Sequence, residues 1–394
     1  MVVLENIAII FKEKFNKEDY LYILKKIFYL LKIKNNSINK YTSQLILNMI
    51  KNNSKYFIDS PENKEKKDET LISNSNSDRK STKIIEEIIE NIINILENIA
   101  KEEESIQSSR YISTLKIAEE LSKINLSPII DACLKEQYGL PLPLSLQSIL
   151  EQICKEKALV TKVFTKITDI INNGDPGYEN KPNYTVCAST IVLGTMLATH
   201  DPVIIPLIRK FFPQLLSTLL LRIGSSHSIN YTVEAFSKRE EDPRNQTCWA
   251  LKNLVSYSEE EEISTCLESG GSIQDKLMNT YEYDEGIYEL MLIFCKKADL
   301  SKQMAMFNFL EGFLDRPYNG QRVAVITCYA QFLNFASIIY HGNTDVDLEE
   351  WRGKLVVELT NTITDSDELH RKQSIRRLAN LCKVYLDCTV DIDT

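Results

Sequence analysis

The stretch IIEEIIENIINILENIA, residues 84–100, decides the fold class. Ile84, Ile85, Ile88, Ile89, Ile92, Ile95, Leu96 and Ile99 recur at the 3.6-residue period of a helix, and Glu86, Glu87, Glu90 and Asn94 fall away from that stripe. The period predicts an amphipathic helix whose apolar face is covered by other helices. The same spacing continues along the chain. Helices are predicted over 108–125, 127–138, 144–156, 158–173, 184–199 and 203–223, separated by breaks such as Gly139 to Pro143, Gly174 to Gly177, His200-Asp201-Pro202 and Gly224-Ser225-Ser226. No alternating polar–apolar run bounded by turn residues occurs, so a β-sheet is not expected.

Composition agrees with helices on short loops. The chain has 394 residues with only 12 Gly and 11 Pro, and 43% of it is hydrophobic, which supports a core. Three regions are expected: a basic helical segment over 1–58, a polar linker or disordered loop over 59–83, and a helical array over 84–394. The first holds ten Lys against Glu5, Glu13, Glu18 and Asp19, a net +6, while the whole chain is at −9. Nine scattered Cys without a CxxC pair read as free thiols of a reducing compartment. MVVLENIAIIF at the start lacks a basic leader. Val203–Ile223 is apolar, but Arg209, Lys210, Arg222, Pro206 and Pro213 interrupt it. It reads as a buried helix pair rather than a membrane span.

The last third repeats a grammar rather than a sequence. Asp242-Pro243 opens a helix carrying Trp249, Ala250, Leu251, Asn253 and Leu254; Asp315 precedes Arg322 by seven residues, and Asp365 precedes Arg371 by six. Asp242, Asp315 and Asp365 are expected to sit at repeat turns and to cap the following helix, with Arg322 and Arg371 bridging repeats. Each helix pair is too thin to hide its own apolar face, so pairs must stack. Helix 322–340 is apolar on nearly every side and must be sandwiched.

The Asp…Arg turns resemble HEAT repeats, and Cys248-Trp249-Ala250-Leu251-Lys252-Asn253-Leu254 is similar to the core of armadillo repeats. From about Thr185 to Leu386 the order of features resembles the Maestro heat-like repeat family, on Phe212-Pro213-Gln214-Leu215-Leu216, Leu221 to Ser226, and Gln321-Arg322-Val323-Ala324-Val325-Ile326. The resemblance implies an all-α, HEAT/armadillo-like superhelical solenoid. It also implies a non-enzymatic scaffold or adaptor acting in membrane traffic, cytoplasmic or peripheral on endolysosomal membranes.

No motif for catalysis emerges. Phosphate-binding loops, dinucleotide fingerprints and nucleophile elbows are missing from the sequence. None of His200, His227, His341 and His370 has another His, or a Cys, within the short spacing of a zinc site. His227 reads as a loop residue, and Asp365, Asp367 and Glu368 as helix N-terminal charge. No cofactor or metal is expected. A protein partner is, with Arg371, Lys372, Arg376 and Arg377 as an outward basic row opposite Ile375, Leu378, Ala379 and Cys382, and with Trp249 and Asn253 as a second contact. The aromatic run Tyr281, Tyr283, Tyr288, Phe294 and Phe307 reads as core or as a groove for a partner helix. The alternatives are an importin-like receptor of basic peptides and nucleic-acid binding through residues 1–58, although nucleic acid is not the expected partner. The apolar last helix is expected to pair with a second copy or to continue into further repeats.

Overall fold

The computed structural model describes residues 16–33, 35–57, 75–101, 108–138, 142–178, 181–202, 204–227, 242–267, 272–314, 317–339, 348–364 and 368–390. The chain is all-α, as its periodicity dictates. The strands among the described residues are two short pieces, Gly177–Tyr178 and Lys181–Pro182, paired antiparallel. Two compact units divide at 166/167.

The first unit holds α1 (Lys17–Phe28), α2 (Asn36–Asn52), α3 (Ser75–Lys101), α4 (Ser109–Ile124), α5 (Ser127–Cys133) and α6 (Leu144–Cys154). Helix α7 (Lys157–Asn173) runs across the division. Short polar side chains start these helices by accepting from orphan backbone N–H groups. Asn16 caps α1 through Asp19 N (2.9 Å), Asn35 caps α2 through Ser37 N (3.0 Å), and Ser108 caps α4 through Tyr111 N (3.2 Å). The stripe on α3 behaves as its spacing requires. Ile85, Ile88, Ile89, Ile92, Leu96 and Ile99 are buried against α4, α5 and α6, each contributing roughly 1.5–3 kcal/mol. Glu86 and Glu90 face outward and share Lys135 (2.8 Å each). The basic N-terminal helices are not set apart. Helix α2 packs on α4 and α1 on α3, with Lys25 paired to Glu87. Helix α3 already begins at Ser75, inside the expected linker.

The second unit holds α8 (Tyr184–Ala198), α9 (Ile205–His227), α10 (Pro243–Val255), α11 (Glu261–Thr265), α12 (Ser272–Met278), α13 (Tyr283–Lys297), α14 (Leu300–Glu311), α15 (Asn319–Ile339), α16 (Leu348–Ile363) and α17 (Glu368–Val390). His200, with φ 49°, ends α8 in the left-handed region. Helix α15 is sandwiched as expected: α9, α13, α14, α16 and α17 all touch it, burying Val323, Ile326, Tyr329, Phe332 and Leu333.

Helix α9 corrects the expected helix pair. It is one helix of 23 residues with Pro213 inside it. An interior proline costs about 3 kcal/mol. Contacts from α10, α13, α14 and α15 outweigh that cost, and Leu215, Leu216, Leu219, Leu220 and Ile223 are all buried. Gly224-Ser225-Ser226 is likewise not a break but the last buried turn of α9. Gly224 is there for space: a Cβ would stand 2.1 Å from the carbonyl oxygen of Gly320 on α15. Gly224→Ala is expected to cost about 1–3 kcal/mol through overpacking. Gly312→Ala, where a Cβ would meet nothing within 4 Å, should leave stability unchanged or slightly higher. Thermal melts followed by circular dichroism compare the two.

Candidate functional site

The expected basic row on α17 is divided by the fold, and its buried face is the reverse of the one expected. Ile375 is 53% exposed, and Ala379 and Cys382 are exposed too, whereas His370, Gln373, Ser374 and Arg377 are buried. The cause lies on α13. Asp284 is fully buried and its Oδ2 accepts from Arg377 Nη2 at 2.8 Å, while its Oδ1 accepts from Gln373 Nε2 at 3.2 Å. Glu285 accepts from the same Arg377 nitrogen at 3.1 Å, and the guanidinium lies 4.4 Å over the Tyr288 ring. Arg376, half-buried, reaches the same two carboxylates at 3.5 and 3.4 Å. Arg376 and Arg377 therefore lock α17 to α13 and are not an outward contact. Lys372 is exposed and Arg371 half-buried.

Trp249 and Asn253 do share one side of α10, four residues apart. The indole is 42% exposed and lies on α8 at Gly194, where a Cβ would be 2.4 Å from the ring. Asn253 is half-buried, and its Nδ2 has no hydrogen-bond partner. Beyond the end of α10 opens a cleft lined by Arg209, Phe212, Tyr257, Ile263, Phe294 and Lys302. Phe212 and Phe294 stack at 6.4 Å. Tyr257 is fixed by donating to Leu197 O (2.5 Å) and is otherwise buried, which pushes its hydroxyl pKa up. The rim is acidic. Glu259 pairs with Arg209 (3.1 Å) and Glu262 with Lys297 (2.5 Å), while Glu260 and Glu261 make no ion pair among the described residues. Of the aromatic run, Tyr283, Phe294 and Phe307 are core, Tyr281 is exposed, and Tyr288 supports Arg377.

The repeat-turn residues meet different ends. Asp242 caps α10 through Arg244 N (2.9 Å) and pairs with the Arg244 side chain (2.8 Å). Arg322 donates to Asn319 Oδ1 on its own helix. Asp315 and Asp365 lie outside the described residues, as do His341 and Asp367.

Nothing described assembles a reaction centre. No group of three metal-ligating side chains occurs among the described residues. Ser226 donates to Ile223 O (2.8 Å) rather than to His227. His227 is not a loop residue but ends α9, buried and stacked on Tyr283 at 4.6 Å. Its Nε2 donates to Leu277 O at 2.7 Å, which leaves Nδ1 to accept from Thr280 at 3.3 Å. Six of the eight described cysteines are buried, none of the eight forms a disulfide, and burial pushes Cys133, Cys248 and Cys295 up to about 12. Such thiols are inert near neutral pH.

Sequence reasoning missed Asp284 and the cleft. A lone Asp in Glu282-Tyr283-Asp284-Glu285 carries no signal of its partner about ninety residues on, and the cleft joins residues from four segments. The sequence matches no protein-family model, and comparison with curated proteins gives no match.

Two outcomes follow. Asp284→Asn should destabilise the chain by about 1.5–3 kcal/mol, because buried Arg377 then keeps only the half-buried Glu285 as its anion. The double variant Asp284→Leu/Arg377→Met should lose much less, as read by denaturant titration. Burial holds His227 down at about 4, against about 6.5 in an unfolded chain. The unfolded chain therefore binds more protons between these values, and stability should rise with pH across that window. His227→Gln should flatten this slope in melts taken from pH 4 to 7.

Proposed function

We propose that the chain is a non-enzymatic helical-repeat scaffold of HEAT/armadillo type that binds a protein partner on the α10–α11 side of its second unit. The supporting observation is Trp249. An indole 42% exposed to water and seated on Gly194 is the anchor type that protein interfaces favour. The packing of second-unit helices also suits the reading, since α9, α13, α15 and α17 touch in that order along the chain, as stacked helix pairs would. Direct contact of α9 with α15 adds a closer crossing than simple stacking needs.

The cleft gives the partner a chemistry. A small apolar side chain would meet Phe212, Tyr257 and Ile263 there, and a basic group beside it would meet Glu260. A peptide-receptor role of the importin kind has less support, because such receptors repeat the Trp/Asn pair on successive helices and this chain has one such pair. No described helix is long and apolar enough to cross a membrane.

Cross-linking of the tagged chain in its native cells, followed by mass spectrometry, tests the reading. One stoichiometric partner should cross-link near residues 249–263 and fall at least fivefold with Trp249→Ala and with Glu260→Lys/Glu261→Lys. Recovery unchanged by both variants would move the interface elsewhere.

A further inference from the structure

The first unit carries a surface that the scaffold reading leaves unused. Thirteen large apolar side chains are exposed among the described residues, and six of them lie between positions 22 and 41: Tyr22, Tyr29, Leu30, Ile33, Ile38 and Tyr41. On α1 the buried set is Tyr20, Leu21, Leu24, Phe28 and, in the following turn, Leu31. Tyr22, Lys26 and Tyr29 recur at spacings of four and three on the opposite side. The helix thus has two faces that are not simply polar. One packs into the unit and the other meets water.

Charge sets what that outer face can touch. From Tyr20 to Ile58 there is no Asp or Glu, while Lys25, Lys26, Lys32, Lys34, Lys40, Lys51 and Lys55 fall in the same span. Lys25 pairs with Glu87 and Lys51 with Glu120. Lys26, Lys32 and Lys40 are exposed and have no carboxylate partner among the described residues. Two of them rest on the exposed rings instead. Lys26 Nζ is 5.2 Å from the Tyr22 centroid and 6.0 Å from that of Tyr29, and Lys32 Nζ is 4.7 Å from Tyr29. Rings and ammonium groups thus alternate over Tyr22, Lys26, Tyr29 and Lys32, and Leu30 and Ile33 beside them in sequence are exposed as well.

We propose that this face of α1, with the start of α2, docks onto an anionic lipid bilayer. Tyr and Lys each have an apolar body and a polar tip, the combination that suits a headgroup layer. Leu30, Ile33 and Ile38 gain from acyl chains and have nothing to offer a nucleic-acid base. The span holds no Arg, the residue whose planar fork suits specific phosphate readout, so the attraction is a diffuse one between lysines and a charged surface. A second copy of the chain would present the same positive charge and be repelled. The docking is peripheral, because the other face of α1 stays in the core.

Sedimentation of the full chain with vesicles tests this. Vesicles of phosphatidylcholine with about 30% phosphatidylserine should bind at least tenfold more tightly than phosphatidylcholine alone, and raising salt from about 0.05 to 0.3 M should weaken binding at least tenfold. Tyr22→Ser/Tyr29→Ser and Lys26→Glu/Lys32→Glu each change only exposed side chains, so melts should be unchanged while binding falls at least fivefold. Tyr22→Trp should show quenching by brominated acyl chains. Equal binding to both vesicle types, or binding indifferent to both double variants, overturns the proposal. So does a single-stranded RNA that binds more tightly than the anionic vesicles and loses affinity with Lys26→Glu/Lys32→Glu. Dimerisation abolished by Tyr22→Ser/Tyr29→Ser would overturn it in favour of self-association.

Discussion

Helices α9 and α15 are apolar around most of their circumference, and a helix of that kind has no side that water can solvate cheaply. Each must be walled in by neighbours, and the second unit is arranged around that need. Helices α10, α13, α14 and α15 cover α9, while α13, α14, α16 and α17 complete the cover of α15. The two central helices meet at Gly224 and Gly320, where the backbone itself forms the contact surface. Burial on this scale outweighs local preference, which is why α9 continues through Pro213 without a break.

Polar groups caught inside such a packing must find partners, and their partners fix its register. Asp284 and Arg377 sit about ninety residues apart and share a fully buried contact, with Gln373, Glu285 and Tyr288 around it, while Arg377 Nε and Nη1 have no hydrogen-bond partner among the described residues. A pair of this kind contributes little net energy against an apolar substitute, but one member without the other is costly. It therefore selects one docking of α17 on α13 and rejects neighbouring registers. Arg222 is a second buried cation, held more weakly by Ser225 (3.4 Å) and Cys187 (3.3 Å). On the exteriors stand an exposed indole in one unit and a lysine–tyrosine face in the other.

The helical class was legible because burial and the 3.6-residue period coincide on α3, where the isoleucines that recur in the sequence line the core. The cap at Asp242 was legible for a local reason: an Asp next to a helix start meets its N–H groups directly. The face of α17 was not. Over 368–377 its only apolar residues are Leu369 and Ile375, so the side that packs is chosen by a carboxylate distant in sequence, and Ile375 ends in water while Arg377 ends in the core. His227 was misplaced for the same kind of reason, since the glycine that suggests a turn serves a helix crossing. Of the candidate site, Trp249 and Asn253 could be named from the sequence, but the cleft could not, because Arg209, Tyr257, Phe294 and Lys302 come together only in the fold.

Native-state hydrogen exchange of the full chain, read by mass spectrometry, tests most directly whether two walled-in helices organise the second unit. Amides of 208–226 and 322–334 should be the slowest in that unit and should exchange only when the whole unit unfolds, with 348–363 opening earlier. If the amides of α9 or α15 exchange as fast as those of α16, the two helices are not the covered centre and the account fails.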